Sequence, residues 1–130
     1  MLSGKTVLVV DDEPDNRDIM RVIVEEIVGC RATVAKDGQE ALEEVRDRRP
    51  DLILLDLMLP KIDGYQVMRT LRSDPQTSNI PVIAITAMAQ PKDRERAVDA
   101  GAVDFIDKPF DLDEVADKIR AVLDSASAQP

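Results

Sequence analysis

The chain has 130 residues, 44% of them apolar, and a formal net charge of −9; this suits one globular domain with a sizeable core and is too apolar for a disordered chain. The acidic balance argues against direct electrostatic binding to nucleic acid or to an anionic membrane, since both recruit basic surfaces. No apolar run reaches membrane-spanning length, and the absence of histidine excludes imidazole catalysis and imidazole metal sites within this chain.

In chain order, the apolar run Thr6–Val10 predicts a first strand. The N-terminus leads straight into it with no signal-peptide pattern, which with the single Cys30 predicts a reduced, cytoplasmic protein whose thiol packs instead of reacting. The strand ends in Asp11-Asp12-Glu13. Ile19, Met20, Ile23, Val24 and Ile27 then recur at helical spacing, with Gly29 as the expected stop. A second strand is predicted at Ala32–Ala35, and a second helix around Ala41, Leu42 and Val45, closing before Pro50. The run Leu52–Leu55 predicts the third strand and leads directly into Asp56. Val67, Met68 and Leu71 mark a third helix, and Val82–Ile85 a fourth strand with Thr86 at its end. A polar, weakly amphipathic helix is expected around Lys92–Ala100, with Gly101 after it. Val103–Ile106 predicts the fifth strand, followed by Lys108-Pro109. Leu112, Val115, Ala116, Ile119, Val122 and Leu123 mark a fifth helix, N-capped by Asp111. Ser125 to Pro130 lack an apolar period, so residues 1–124 are read as the domain and 125–130 as a frayed tail.

Short, continuous runs of Val, Ile and Leu are how strands buried on both faces read. Their alternation with helices predicts an α/β fold: a doubly wound, five-stranded parallel sheet with helices on both faces. The pattern alone leaves strand order open. In such sheets ligands gather outside the carboxyl ends of the strands. Asp11, Asp12, Asp56, Thr86 and Lys108 all fall at such ends, so two acids, a third acid, a hydroxyl and an ammonium are expected to converge. Three carboxylates together repel one another unless a pKa rises or a cation neutralises them. An all-oxygen set suits Mg²⁺, with Mn²⁺ possible, and does not suit zinc. A carboxylate such as Asp56 can act as a nucleophile toward phosphorus, while Lys108 and Thr86 can serve phosphoryl oxygens. Taken singly, each residue also has an ordinary reading. Asp11-Asp12 can be a solvated acidic turn, Asp56 a capping residue, Thr86 a structural strand end and Lys108 a surface loop residue.

Together the motifs Val-Leu-Val-Val-Asp11-Asp12-Glu13, Asp56-Leu-Met-Leu-Pro60-Lys-Ile-Asp63-Gly64, Ile-Thr86-Ala87 and Asp107-Lys108-Pro109-Phe110 carry a resemblance. The chain resembles a response-regulator receiver domain of two-component signalling, similar to the single-domain regulators of chemotaxis and of the sporulation phosphorelay. The resemblance spans Lys5 to Leu123 and implies the flavodoxin-like strand order 2-1-3-4-5, an order the family is already known for. It implies Asp56 as phosphoacceptor, Asp11, Asp12, Asp56 and the Met58 carbonyl as metal ligands, and Thr86 and Lys108 as phosphate partners. Thr86 and Phe105 are the implied switch pair, with Phe105 standing where the family often has Tyr; a plain core residue is the other reading of Phe105. The implied phosphoryl donor is a histidine kinase or histidine phosphotransfer protein, because this chain has no histidine of its own. The implied output is a protein bound through the fourth and fifth helices. A cis Lys108-Pro109 bond is expected, and Met58 and Met88, two residues beyond Asp56 and Thr86, are expected to slow loss of the phosphoryl group.

Three other readings compete. A Mg²⁺-dependent aspartyl phosphatase of the haloacid-dehalogenase kind needs Asp-x-Asp after its first strand, where this chain has Asp11-Asp12-Glu13. A flavodoxin-type flavin protein needs a hydroxyl- and glycine-rich phosphate loop and ring-stacking aromatics, against one Tyr and two Phe here. A receiver fragment of a longer regulator is the third. The Met1 start speaks against the tail of a hybrid kinase, and the Ser-Ala-rich end does not bear on a lost downstream domain.

Overall fold

The structure, a computed structural model, describes residues 4–87 and 91–128, with side chains through Ser125. Five strands alternate with five helices: β1 Thr6–Val10, α1 Pro14–Val22, β2 Arg31–Ala35, α2 Gly38–Arg48, β3 Leu52–Asp56, α3 Gly64–Ser73, β4 Val82–Thr86, α4 Pro91–Asp99, β5 Asp104–Asp107 and α5 Leu112–Ala128. The strands form one parallel sheet in the order β2-β1-β3-β4-β5. This is the doubly wound, flavodoxin-like arrangement.

The strand alternation splits the core in two. Leu8, Val10, Ile53, Leu55, Ala84 and Phe105 face α2, α3 and α4. Val7, Val9, Leu52, Leu54, Ile83, Ile85 and Ile106 face α1 and α5. β3 and β4 are buried at every position, so their runs carry no polar face to read.

Helix starts follow their caps. The Asp37 side chain accepts from Glu40 N–H at 2.8 Å, and Asp63 from Gln66 N–H at 2.9 Å. Asp111 accepts from Asp113 N–H at 2.9 Å, as expected of the cap of α5. Three details differ from the sequence expectation. The first helix does not stay α-helical to its end: Ile23–Val28 is a π-helical segment, closed by Gly29 at φ 90°. Val103 lies outside β5 and is exposed, so the fifth strand starts one residue later. α5 continues through Ala128, past the Ser125 where the apolar period stops.

Candidate functional site

The sheet brings the singled-out residues to its carboxyl end. Asp11 follows β1 and its N–H donates to the Ala35 carbonyl of β2 at 3.1 Å. Asp56 closes β3 opposite Ile85, so Thr86 stands one residue further along the neighbouring strand, and Thr86 in turn is in register with Asp107. Lys108 N–H donates to the Thr86 carbonyl at 2.9 Å, which ties the fifth strand end to the fourth. The Lys108-Pro109 peptide is cis, as expected.

One carboxylate oxygen from each of Asp11, Asp12 and Asp56 lies within 4.8 Å of the other two. Asp11 and Asp56 are buried and Asp12 is exposed. The Lys108 ammonium reaches between the buried pair, donating to Asp56 Oδ2 at 2.8 Å and Asp11 Oδ2 at 3.3 Å. Backbone groups fix the remaining oxygens: Glu13 N–H donates to Asp11 Oδ1 at 2.9 Å, and Met58 N–H to Asp56 Oδ1 at 2.8 Å. Burial, followed by the Asp56 charge, holds the Asp11 carboxyl above its ordinary value, although the Glu13 N–H and Lys108 pull it down. Burial pulls Lys108 the other way, but the hydrogen bond and charge of Asp56, with Asp11 behind them, leave it raised. The site thus keeps its ammonium charged and favours the protonated form of Asp11. Three carboxylates against one ammonium are a donor set that fits a hard divalent cation, Mg²⁺ or Mn²⁺.

Glycine shapes the wall behind Asp56. A Cβ on Gly64 would lie 2.7 Å from Leu57 Cα and 2.9 Å from the Asp56 carbonyl oxygen. Only a residue without Cβ lets α3 start against the backbone of the Asp56 turn. Leu57 and Leu59 of that turn point into the core, while the Met58 side chain is 59% exposed. Met88 lies outside the described residues.

Phe105 is buried, 5% exposed, within the core beneath α4. A switch in which the Phe105 ring swings inward needs an outward ring at the start; here the ring is already inside. An unsubstituted phenyl has no polar tip to hold it toward water. Cys30 is likewise buried. Its thiol is pushed up by burial and then by the Asp51 charge, which fits packing and not reactivity.

Sequence reasoning missed Arg17. Its Nη1 donates to the Asp11 carbonyl at 2.8 Å and so braces the turn that carries the acid pair. The signal was present, because a basic residue in the first turns of a helix opposes the macrodipole and calls for a specific partner.

Residues 7–120 match the sequence profile of the family described as response regulator receiver domain. The chain is similar to the DNA-binding dual master transcriptional regulator RpaA of Synechocystis, 40% identical over 90% of this chain and 48% of that protein. It spans about half the length of the curated relatives it matches. Among solved structures, the Francisella response regulator 1452 receiver domain superposes with a TM-score of 0.88 at 31% identity, covering 95% of this chain and 99% of that one. The receiver domain of the sensor histidine kinase PA1611 from Pseudomonas aeruginosa, solved with a magnesium ion coordinated in its active-site cleft, superposes at 0.84 with 33% identity, covering 93% and 98%.

Proposed function

This chain belongs to the response-regulator receiver family, and from that premise we propose that it accepts a phosphoryl group from a partner's phosphohistidine onto Asp56 and thereby alters a protein-binding face. The observation that carries the proposal is the Asp56 carboxylate held 2.8 Å from the Lys108 ammonium inside a cluster of three acids. The phosphatase and flavin readings give way to the family assignment.

In the transfer an Asp56 carboxylate oxygen forms a bond to phosphorus while the donor's N–P bond breaks. The electron pair stays on the imidazole nitrogen, which takes a proton from water, and the product is an acyl phosphate. Met58 N–H keeps one carboxylate oxygen oriented. Lys108 exchanges its Asp56 contact for the incoming phosphoryl oxygens, and the Thr86 hydroxyl donates to the same group. Asp11, Asp12, Asp56 and the Met58 carbonyl would hold Mg²⁺ or Mn²⁺, which when bound offsets the charge on the transferring oxygens. The donor reading is supported by apolar side chains beside the site. Exposed Ile19 lines one groove with Lys108, Pro109 and Phe110 and an adjoining one with exposed Val22 and Leu112, where a helix of a kinase or phosphotransfer protein finds an apolar seat. On the far side, Val98 of α4 and Val103 are exposed, consistent with an output face around α4 and α5. Among the described residues no helix is long and apolar enough to cross a membrane.

The test is incubation with Mg²⁺ and a small acyl phosphate or phosphoramidate, read by intact mass. The parent should gain one acid-labile phosphoryl group, and both chelator and Asp56→Asn should abolish the gain. A stoichiometric gain in Asp56→Asn would overturn the assignment.

A further inference from the structure

α4 is thinly anchored. Ala97 is its one buried residue, against five in α3. Its arginines supply the rest. The Arg94 guanidinium lies 5.2 Å from the ring centroid of Phe105 on β5, and the Arg96 guanidinium 3.8 Å from that of Tyr65 on α3. Residues two apart on a helix point to nearly opposite sides, so the two cations straddle Ala97 and grip different neighbours. The chain has one Tyr, two Phe and no Trp, so two of its three aromatic rings are covered by α4 arginines. Arg94 has a second hold, an ion pair to Asp107 Oδ2 at 3.4 Å. Asp107 precedes Lys108, is in register with Thr86, and keeps its Oδ1 buried with no hydrogen-bond partner among the described residues. Arg94 therefore touches both the switch ring and the strand end that carries the phosphate-binding lysine.

We propose that Arg94 and Arg96 are positioning residues of the switch: Arg94 clamps α4 to Phe105 and Asp107 of β5, Arg96 clamps it to Tyr65 of α3, and movement at the Thr86–Lys108 end reaches α4 through the Arg94 clamp. The physical basis is the attraction of a guanidinium to an aromatic face, joined for Arg94 to a carboxylate. In a protein whose switch ring lacks a hydroxyl, the cation takes over what a hydrogen bond could do. The coupling half of this inference rests on Asp56 being the phosphoacceptor; the anchoring half does not.

The composition makes the test simple. With three aromatic residues, each ring is resolved in a proton spectrum, and with one Tyr and no Trp the fluorescence reports Tyr65 alone. The variants are Arg94→Ala, Arg94→Lys and Arg96→Ala in the full chain. Without phosphorylation, Arg94→Ala should shift the Phe105 ring signals and spare Tyr65. Arg96→Ala should do the reverse and change the tyrosine emission, and Arg94→Lys should restore part of the Phe105 signature. With Mg²⁺ and a small acyl phosphate, Arg94→Ala should take up the phosphoryl group within about twofold of the parent rate. Its phosphorylation-dependent amide shifts across 91–99 should fall at least threefold. Ring signals unchanged in Arg94→Ala and Arg96→Ala overturn the anchoring, and parent-like shifts in α4 overturn the coupling. If the parent itself takes up no phosphoryl group, the Asp56 reading fails, the coupling falls with it, and the ring signals still decide the anchoring.

Discussion

Asp11 is where the site's internal conflict is concentrated. Its carboxyl is held above the ordinary 3.8 by burial first and then by Asp56, with Glu13 N–H and Lys108 opposing. A raised folded-state value means that the folded chain prefers the protonated acid. The resulting stabilisation is present below the unfolded pKa and is lost as pH rises through the folded one. At neutral pH, then, the ionised Asp11 weakens the metal-free fold. Asp11→Asn is expected to melt at a higher temperature than the parent in chelator at neutral pH, with the advantage shrinking as pH falls into the carboxylate range. A lower melting temperature for the variant at neutral pH would show that the ion pair with Lys108 outweighs burial. Met58 makes a different residue-scale case. Its backbone serves Asp56, while its side chain is free at the mouth of the site. A thioether is a weak acceptor and orients water poorly. Met58→Asn and Met58→Glu should therefore change the phosphoryl lifetime, by up to about tenfold if water orientation alters the barrier by about 1.4 kcal/mol, without blocking uptake. The check is loss of the phosphoryl mass over time after donor removal, and unchanged decay in both variants would discard the idea.

At the scale of elements, the turn from β3 to α3 ties fold to site. Gly64 lets helix backbone meet strand-end backbone, so Gly64→Ala is expected to destabilise by about 1–3 kcal/mol through overpacking. It should also slow phosphoryl uptake, because the clash falls on Asp56 and Leu57. Urea melts and uptake rates on the same sample check both, and full parental stability would mean that the turn yields without strain. The strand ends were legible in the sequence because β1, β3 and β4 are buried on both faces, and runs such as Leu52–Leu55 stop where the chain reaches a polar residue. The site was legible for the same reason, since Asp11, Asp56 and Thr86 are the polar residues at which those runs stop. The π-helical segment was not. Over a single turn, the spacing of Ile23, Val24 and Ile27 fits either winding, and what selects the wider one is that Gly29 and Cys30 N–H both reach the Val24 carbonyl at 2.9 Å. The arginine contacts of α4 were hidden too. Arg94 and Arg96 read as a solvated polar face, and their partners Phe105 and Tyr65 come near only when β5 and α3 are packed alongside.

For the whole molecule, the question is whether one phosphoryl group can move the balance between two arrangements of a sheet packed on both faces. Shifting a population from 1:99 to 99:1 requires about 5.5 kcal/mol of differential interaction. A hydrogen bond to a charged group contributes about 1.5–3 kcal/mol, so Thr86 alone does not suffice. Lys108, the Met58 amide side of the turn and a bound cation must share the task, or the shift is partial. Phe105 adds little by relocating, since it is already 5% exposed; what remains to move is α4 and the β4 and β5 ends beneath it. Thr86 is buried at that junction and its carbonyl accepts from Lys108 N–H, so under the proposed transfer a hydrogen bond from its hydroxyl to the phosphoryl group would act directly on β4. Thr86→Ala is accordingly expected to take up the phosphoryl group on Asp56 yet lose most of the phosphorylation-dependent gain in partner binding, about tenfold or more for a lost bond of this class. Phe105→Tyr should also leave uptake intact but alter partner affinity, because it adds a hydroxyl beneath the Arg94 clamp. The measurement is partner affinity for each variant with and without phosphorylation. A Thr86→Ala protein that keeps the parent's full gain would place the coupling in Lys108 and the metal site, outside β4.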